Sequence, residues 1–220
     1  MPFTVNQFLD VFAAYNAAIW PAQIGAYAFA VVILVALFSR RPSNVRGAMA
    51  ALAVLWAFIG IGYHLMFFAT INPAAPVFVG FFVLQAVLFA VNAVGPGNLR
   101  FHLGRDVRTW AGLVATVYAL AIYPVVGAWA GHGLMAGPMF GVAPCPTTIF
   151  TLGILLLLRG GWVIALSVVA LLWSFIGIAA AVQLGILKDL GMPVAGLALL
   201  TAHGVQILRS RRDSKLVRTL

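Results

Sequence analysis

Seven apolar runs divide the chain, at residues 21–38, 47–69, 77–94, 109–130, 147–158, 162–187 and 193–208, with short arginine-, glycine- and proline-rich segments between most of them. About 20 apolar residues cross a hydrocarbon core roughly 30 Å thick, so these runs read as membrane-crossing helices. The fifth is the shortest: it either begins earlier, near Phe140, or is broken and partly re-entrant at Pro144-Cys145-Pro146. Ahead of the first run, Thr4 and Gln7 have the spacing of a capping box, which predicts a helix starting there. Phe8, Val11, Phe12 and Tyr15 recur along one side of that helix, away from Asp10 and Asn16. Residues 1–20 therefore predict a short external helix in the membrane interface, with Trp20 in the aromatic belt and Pro21 in the first turn of the first span.

The second and sixth runs share a string. LWAFIGI at 55–61 returns as LWSFIGI at 172–178, six of seven residues identical, and at the same offset of 117 residues Pro76-Val77 meets Pro193-Val194. Internal repeats define architecture, and repeated bundles in transporters often enclose the substrate path. The expectation is a single all-α transmembrane domain over residues 1–220. Seven helices form a 3+1+3 plan of parallel halves, 21–94 and 140–208, joined by a linker helix at 109–130 and followed by a basic tail at 209–220.

Composition agrees with the pattern: 64% of the 220 residues are hydrophobic and 8% are charged, more apolar surface than a water-soluble domain can hide. The net charge of +9 lies between the runs and in the tail. Twelve of the 13 basic residues follow the first, third, fifth and seventh runs, and Lys188 alone falls on the other side. By the positive-inside rule the N-terminus is outside and the C-terminus cytoplasmic, in a bacterial inner membrane, and the charge is a topology and lipid-headgroup signal with no nucleic-acid partner. The lone Cys145 excludes an internal disulfide.

In topology the plan resembles PQ-loop and SWEET-type transporters, which join parallel three-helix repeats by a linker helix. Pro21-Ala22-Gln23 and Pro146-Thr147-Thr148 loosely echo their proline-bearing helices, although the literal Pro-Gln pair is absent. Microbial rhodopsins are similar in size and span count, but the last run contains no lysine to hold a retinal. The closest resemblance is to an uncharacterised family of bacterial integral-membrane proteins. It is carried by Phe3-Thr4-Val5-Asn6-Gln7-Phe8, Tyr15-Asn16, Trp20-Pro21 and the external 141–148 segment, GVAPCPTT. That resemblance implies no activity.

Function therefore has to come from the few polar groups inside the runs, which are costly there and usually face a protein interior or wet cavity. They are Tyr63 and His64, Gln85 and Asn92, Gln183, and His203 with Gln206. All four acidic residues fall in segments read as lying outside the spans, so a carboxylate-based proton or sodium antiporter is not expected. Nor does any Ser-His-Asp or paired-carboxylate set assemble, and the chain is not expected to be an enzyme. Gln85, Gln183 and His203, with Tyr63 and His64 nearer the outer face, mark a substrate path between the halves for a small neutral or weakly polar solute. A second expectation uses external soft donors, His64, His132, Met135, Met139 and Cys145, to bind, carry or sense copper(I) or mercury(II). No cofactor other than such an ion is expected. The expected partners are the lipid bilayer and the solute, with a homo-oligomer left open.

Overall fold

A computed structural model describes residues 2–39, 41–95, 98–129 and 137–218. The described chain is all-α apart from a two-residue antiparallel ladder. Its elements are α1 (Val5–Ala18), α2 (Ala22–Leu37), α3 (Pro42–Phe58, prolonged by a π-helical stretch, Ile59–Leu65), α4 (Ala75–Val94), β1 (Arg100–Phe101), α5 (Val107–Val117), α6 (Tyr123–Gly127), α7 (Pro144–Leu157), β2 (Leu158–Arg159), α8 (Val163–Leu184) and α9 (Gly191–Arg218). A 3₁₀ turn, Leu187–Leu190, precedes α9.

Five segments are long and apolar enough to cross a membrane: Pro42–Thr70, Ala75–Val94, Val107–Gly127, Val163–Leu184 and Leu187–Leu208. A sixth is reached if α1 and α2, which meet at an 84° bend, are taken as one broken span. Two of the seven expected spans therefore fall short. Helix α2 has 16 residues and α7 has 14, against the roughly 20 that cross unaided.

The N-terminal helix starts where its cap places it, with Thr4 Oγ1 accepting from Gln7 N and the Gln7 side chain accepting from Thr4 N. Its apolar face packs inward: Phe12 stacks on Tyr63 at 4.6 Å, and Tyr15 donates to Val142 O at 3.0 Å. Helix α7 begins at Pro144 because Pro144 and Pro146 occupy its first turn, where missing amides cost nothing. Every residue of α7 is buried, with α5, α8, α9 and α3 packed around it. A helix apolar all round belongs in such a place.

The linker region carries Pro124 in the first turn of α6. A π-helical turn, Tyr118–Ile122, precedes it, and the Leu120 carbonyl that Pro124 cannot serve accepts instead from Tyr27 Oη at 3.3 Å.

The ends of the bundle differ chemically. At one end β1 pairs with β2, Arg100 opposite Arg159. There Arg108 donates to the carbonyls of Leu155, Leu156 and Leu158 and so caps the C-terminus of α7. Asp106 caps α5 by accepting from Thr109 N at 2.7 Å and lies 3.8 Å from Arg159. The Thr109 amide holds its carboxyl below the usual range. At the other end the π stretch of α3, the start of α4, the start of α7 and the α8–α9 connection meet.

The repeated tryptophans both reach Phe82 of α4, Trp56 stacked at 4.5 Å and Trp173 edge-on at 4.9 Å. Their repeated glycines both lie against the following element: a methyl at Gly60 would sit 3.0 Å from Phe82 Cβ, and one at Gly177 would collide with Met192 Cε. The helices the repeat equates occupy unequal places, however. Helix α2 exposes Ile24, Val31 and Val35, whereas α7 exposes nothing.

Candidate functional site: an aromatic cavity at the α3–α8 junction

The cavity at that second end measures about 180 Å³. Its walls come from the N-terminal segment and α1, the π stretch and the turn after it, α4, the first turn of α7, α8 and the 3₁₀ turn. The π stretch sets the geometry on the α3 side. Met66 N bonds to Ile61 O, five residues back, which widens the turn and presents Tyr63 and His64 together.

Both side chains are buried, and neither finds a hydrogen bond. Tyr63 Oη, His64 Nδ1 and Nε2, and Trp173 Nε1 all lack a partner. Leaving a buried polar atom unpaired costs on the order of 1–3 kcal/mol, so four around one cavity make it the candidate site. Ring contacts supply only weak substitutes: His64 lies 5.1 Å from Trp173 and 4.6 Å from Phe82, centroid to centroid. The tyrosine ring is clamped between Phe12 and Phe68, so its hydroxyl is fixed.

The 3₁₀ turn adds an unexpected group. Asp189 lines the cavity and is only 2% exposed, whereas the sequence pattern placed it in a loop outside the spans. Tyr123 Oη donates to Asp189 Oδ1 at 2.5 Å, and Cys145 lines the same cavity. Lys188, 6% exposed, does not line the cavity and holds its Nζ 4.6 Å from the centre of the Tyr123 ring. A side chain at Gly127 would collide with that ammonium. The premise that no carboxylate lies inside the bundle is thus corrected: the 3₁₀ turn buries Asp189, and the linker tyrosine gives the carboxylate a hydrogen-bond partner of the kind that burial demands.

Of the side chains expected to mark a site, Tyr63, His64 and Cys145 come together on this cavity. The other path residues do not join them. Gln85 is buried and donates to Leu166 O at 3.0 Å, tying α4 to α8, and His203 Nε2 lies 3.2 Å from Ser167 Oγ, tying α9 to α8. Gln183 is exposed on α8. Met139 is half-buried and does not line the cavity, and His132 and Met135 lie outside the described residues. Among the described residues no three His, Cys, Asp or Glu side chains group as a metal site.

Residues 5–214 match a family of unknown function, DUF6064. The chain belongs to that family. No curated protein and no solved structure matches it. In this DUF6064 chain, sequence reasoning missed Asp189, Tyr123 and the polar role of Trp173. One signal was available: Lys188-Asp189 is an adjacent opposite-charge pair flanked by Ile186, Leu187 and Leu190, a setting too apolar for an ordinary solvated loop.

Proposed function

We propose that this protein is a multi-pass component of a bacterial inner membrane, outside at its N-terminus and cytoplasmic at its C-terminus, that carries a small solute between two groups of three helices. In this reading all seven apolar helices are embedded, the two short ones sheltered by their neighbours. The cavity lies at the outer end, opposite Arg100, Arg108 and Arg159, the end that positive charge would hold in the cytoplasm. The observation that carries the proposal is the set of unpartnered atoms on Tyr63, His64 and Trp173 around one cavity. Polar groups at membrane depth are expensive to keep, and a solute that binds there supplies the missing partners. Gln85 and His203 then serve as interhelical bonds beside the path.

Uptake of labelled solutes into proteoliposomes tests this. His64→Leu and Trp173→Phe should lower uptake at least tenfold with folded yield nearly unchanged, and normal uptake by both variants would sink the cavity as the transport site. A soft metal is a second reading, favoured by Cys145 and His64 lining the same cavity. Copper(I) belongs in the same panel: cargo behaviour abolished by Cys145→Ser would transfer the proposal to the metal.

A further inference from the structure

The electrostatics of the cavity select among solutes. Its apolar wall is largely aromatic, with Phe3, Phe8, Tyr63, Phe68, Phe78 and Trp173 on the lining. The faces of such rings are electronegative and attract a cation that has shed its water. Asp189 is the acidic side chain on that lining, and among the described lining residues none is lysine or arginine. Lys188 is not on that lining: its Nζ lies 4.6 Å from the centre of the Tyr123 ring and close to Gly127. A hard metal ion would need a cage of oxygens, which this wall does not offer.

Trp173 Nε1 can only donate and Tyr63 Oη can donate, so the occupant must also bring an oxygen or another acceptor. Size agrees with a compact molecule, since a cavity of about 150 Å³ admits benzene and this one measures about 180 Å³.

We propose that the cavity binds a small alkylammonium bearing a hydroxyl or carbonyl oxygen, its cationic head among the rings and near Asp189 and its oxygen at Trp173 and Tyr63. The inference rests on the cavity being the solute site, and it replaces the neutral cargo expected from the sequence with a cationic one. The physical reason is the buried carboxylate that the 3₁₀ turn brings in.

Choline and its uncharged isostere 3,3-dimethylbutan-1-ol, titrated into the purified full-length protein by calorimetry, separate charge from shape. Choline should bind at least about tenfold more tightly, the scale expected of a desolvated cation among aromatic rings. Asp189→Asn should erase most of that difference, while Lys188→Gln should not weaken choline. Equal or tighter binding of the alcohol would overturn the cationic class yet leave the cavity standing as a solute site. Binding of neither probe in the wild-type protein would overturn the class, and the His64→Leu uptake assay would then decide separately whether the cavity carries solute. The wild-type comparison holds even if Asp189→Asn fails to fold.

Discussion

Substitution of Gly153 by alanine gives a sharp test of how α7 is held. A methyl there would sit 2.7 Å from Thr116 Oγ1, 2.9 Å from Gly112 O and 3.0 Å from Thr116 N. Two of those atoms are backbone, so no rotamer change relieves the contact, and α5 and α7 must separate. The closeness is mutual, since a methyl at Gly112 would meet Gly153 O at 2.9 Å and Leu157 Cγ at 2.8 Å. Overpacking of this kind costs about 1–3 kcal/mol, against a gain of about 0.5–1 kcal/mol from replacing glycine within a helix. The difference spans about 0–2.5 kcal/mol and centres on about 1.3 kcal/mol, or roughly 3–5 °C in Tm at that centre for a chain of this length. Gly25 and Gly47 have nothing within 4 Å of an added methyl, so Gly25→Ala and Gly47→Ala should instead gain about 0.4–1 kcal/mol. Cys145, the single cysteine, is buried at the start of α7 and reports its own release to a thiol-reactive fluorogenic dye during heating. If Gly153→Ala melts at or above the wild-type temperature, as the two controls should, the backbone-contact account of α5 and α7 is wrong.

Two further outcomes are expected. The Trp56 Nε1 to Thr151 Oγ1 bond, 3.0 Å long and buried, joins α3 to α7, and a double-mutant cycle of Trp56→Phe with Thr151→Val should return a coupling of about 0.6–1.7 kcal/mol; a coupling of zero would show that the bond contributes nothing. Because the Thr109 amide lowers the pKa of Asp106 in the folded protein, its stabilisation is complete above the unfolded-state value of about 4 and is lost as pH falls through the folded value. Asp106→Ala should therefore cost about 1 kcal/mol near neutrality and progressively less in acid, as read from melting curves between pH 3 and 7; a pH-independent cost would refute the capping role.

The elements were largely legible in the sequence, because α1 declares its cap at Thr4 and Gln7 and the later helices coincide with apolar runs. Which face each helix buries was not. In an apolar chain the side toward neighbours and the side toward lipid carry the same residue types, so periodicity is silent; exposed Val31 and buried Ile33 of α2 look alike in the string. The candidate site was half legible. Tyr63 and His64 stood out as polar residues in an apolar run, but charge counting assigned Lys188-Asp189 to the outside. Only the fold reveals that Tyr123, 66 residues earlier, waits to bond that carboxylate. The repeat was visible as a string, yet the string could not say that α7 lies enclosed while α2 lies at the periphery.

The enclosure of α7 bears on how the chain is made. At 14 residues a helix rises about 21 Å, against a hydrocarbon slab of roughly 30 Å, so on leaving the ribosome it lacks the length to partition as a span of its own. Two of the helices that cover it, α8 and α9, are synthesised afterwards. In the seven-helix membrane reading proposed above, order of synthesis and order of placement therefore diverge: the innermost helix waits at the insertion machinery or the membrane surface until its C-terminal neighbours arrive, and the bundle closes around it last.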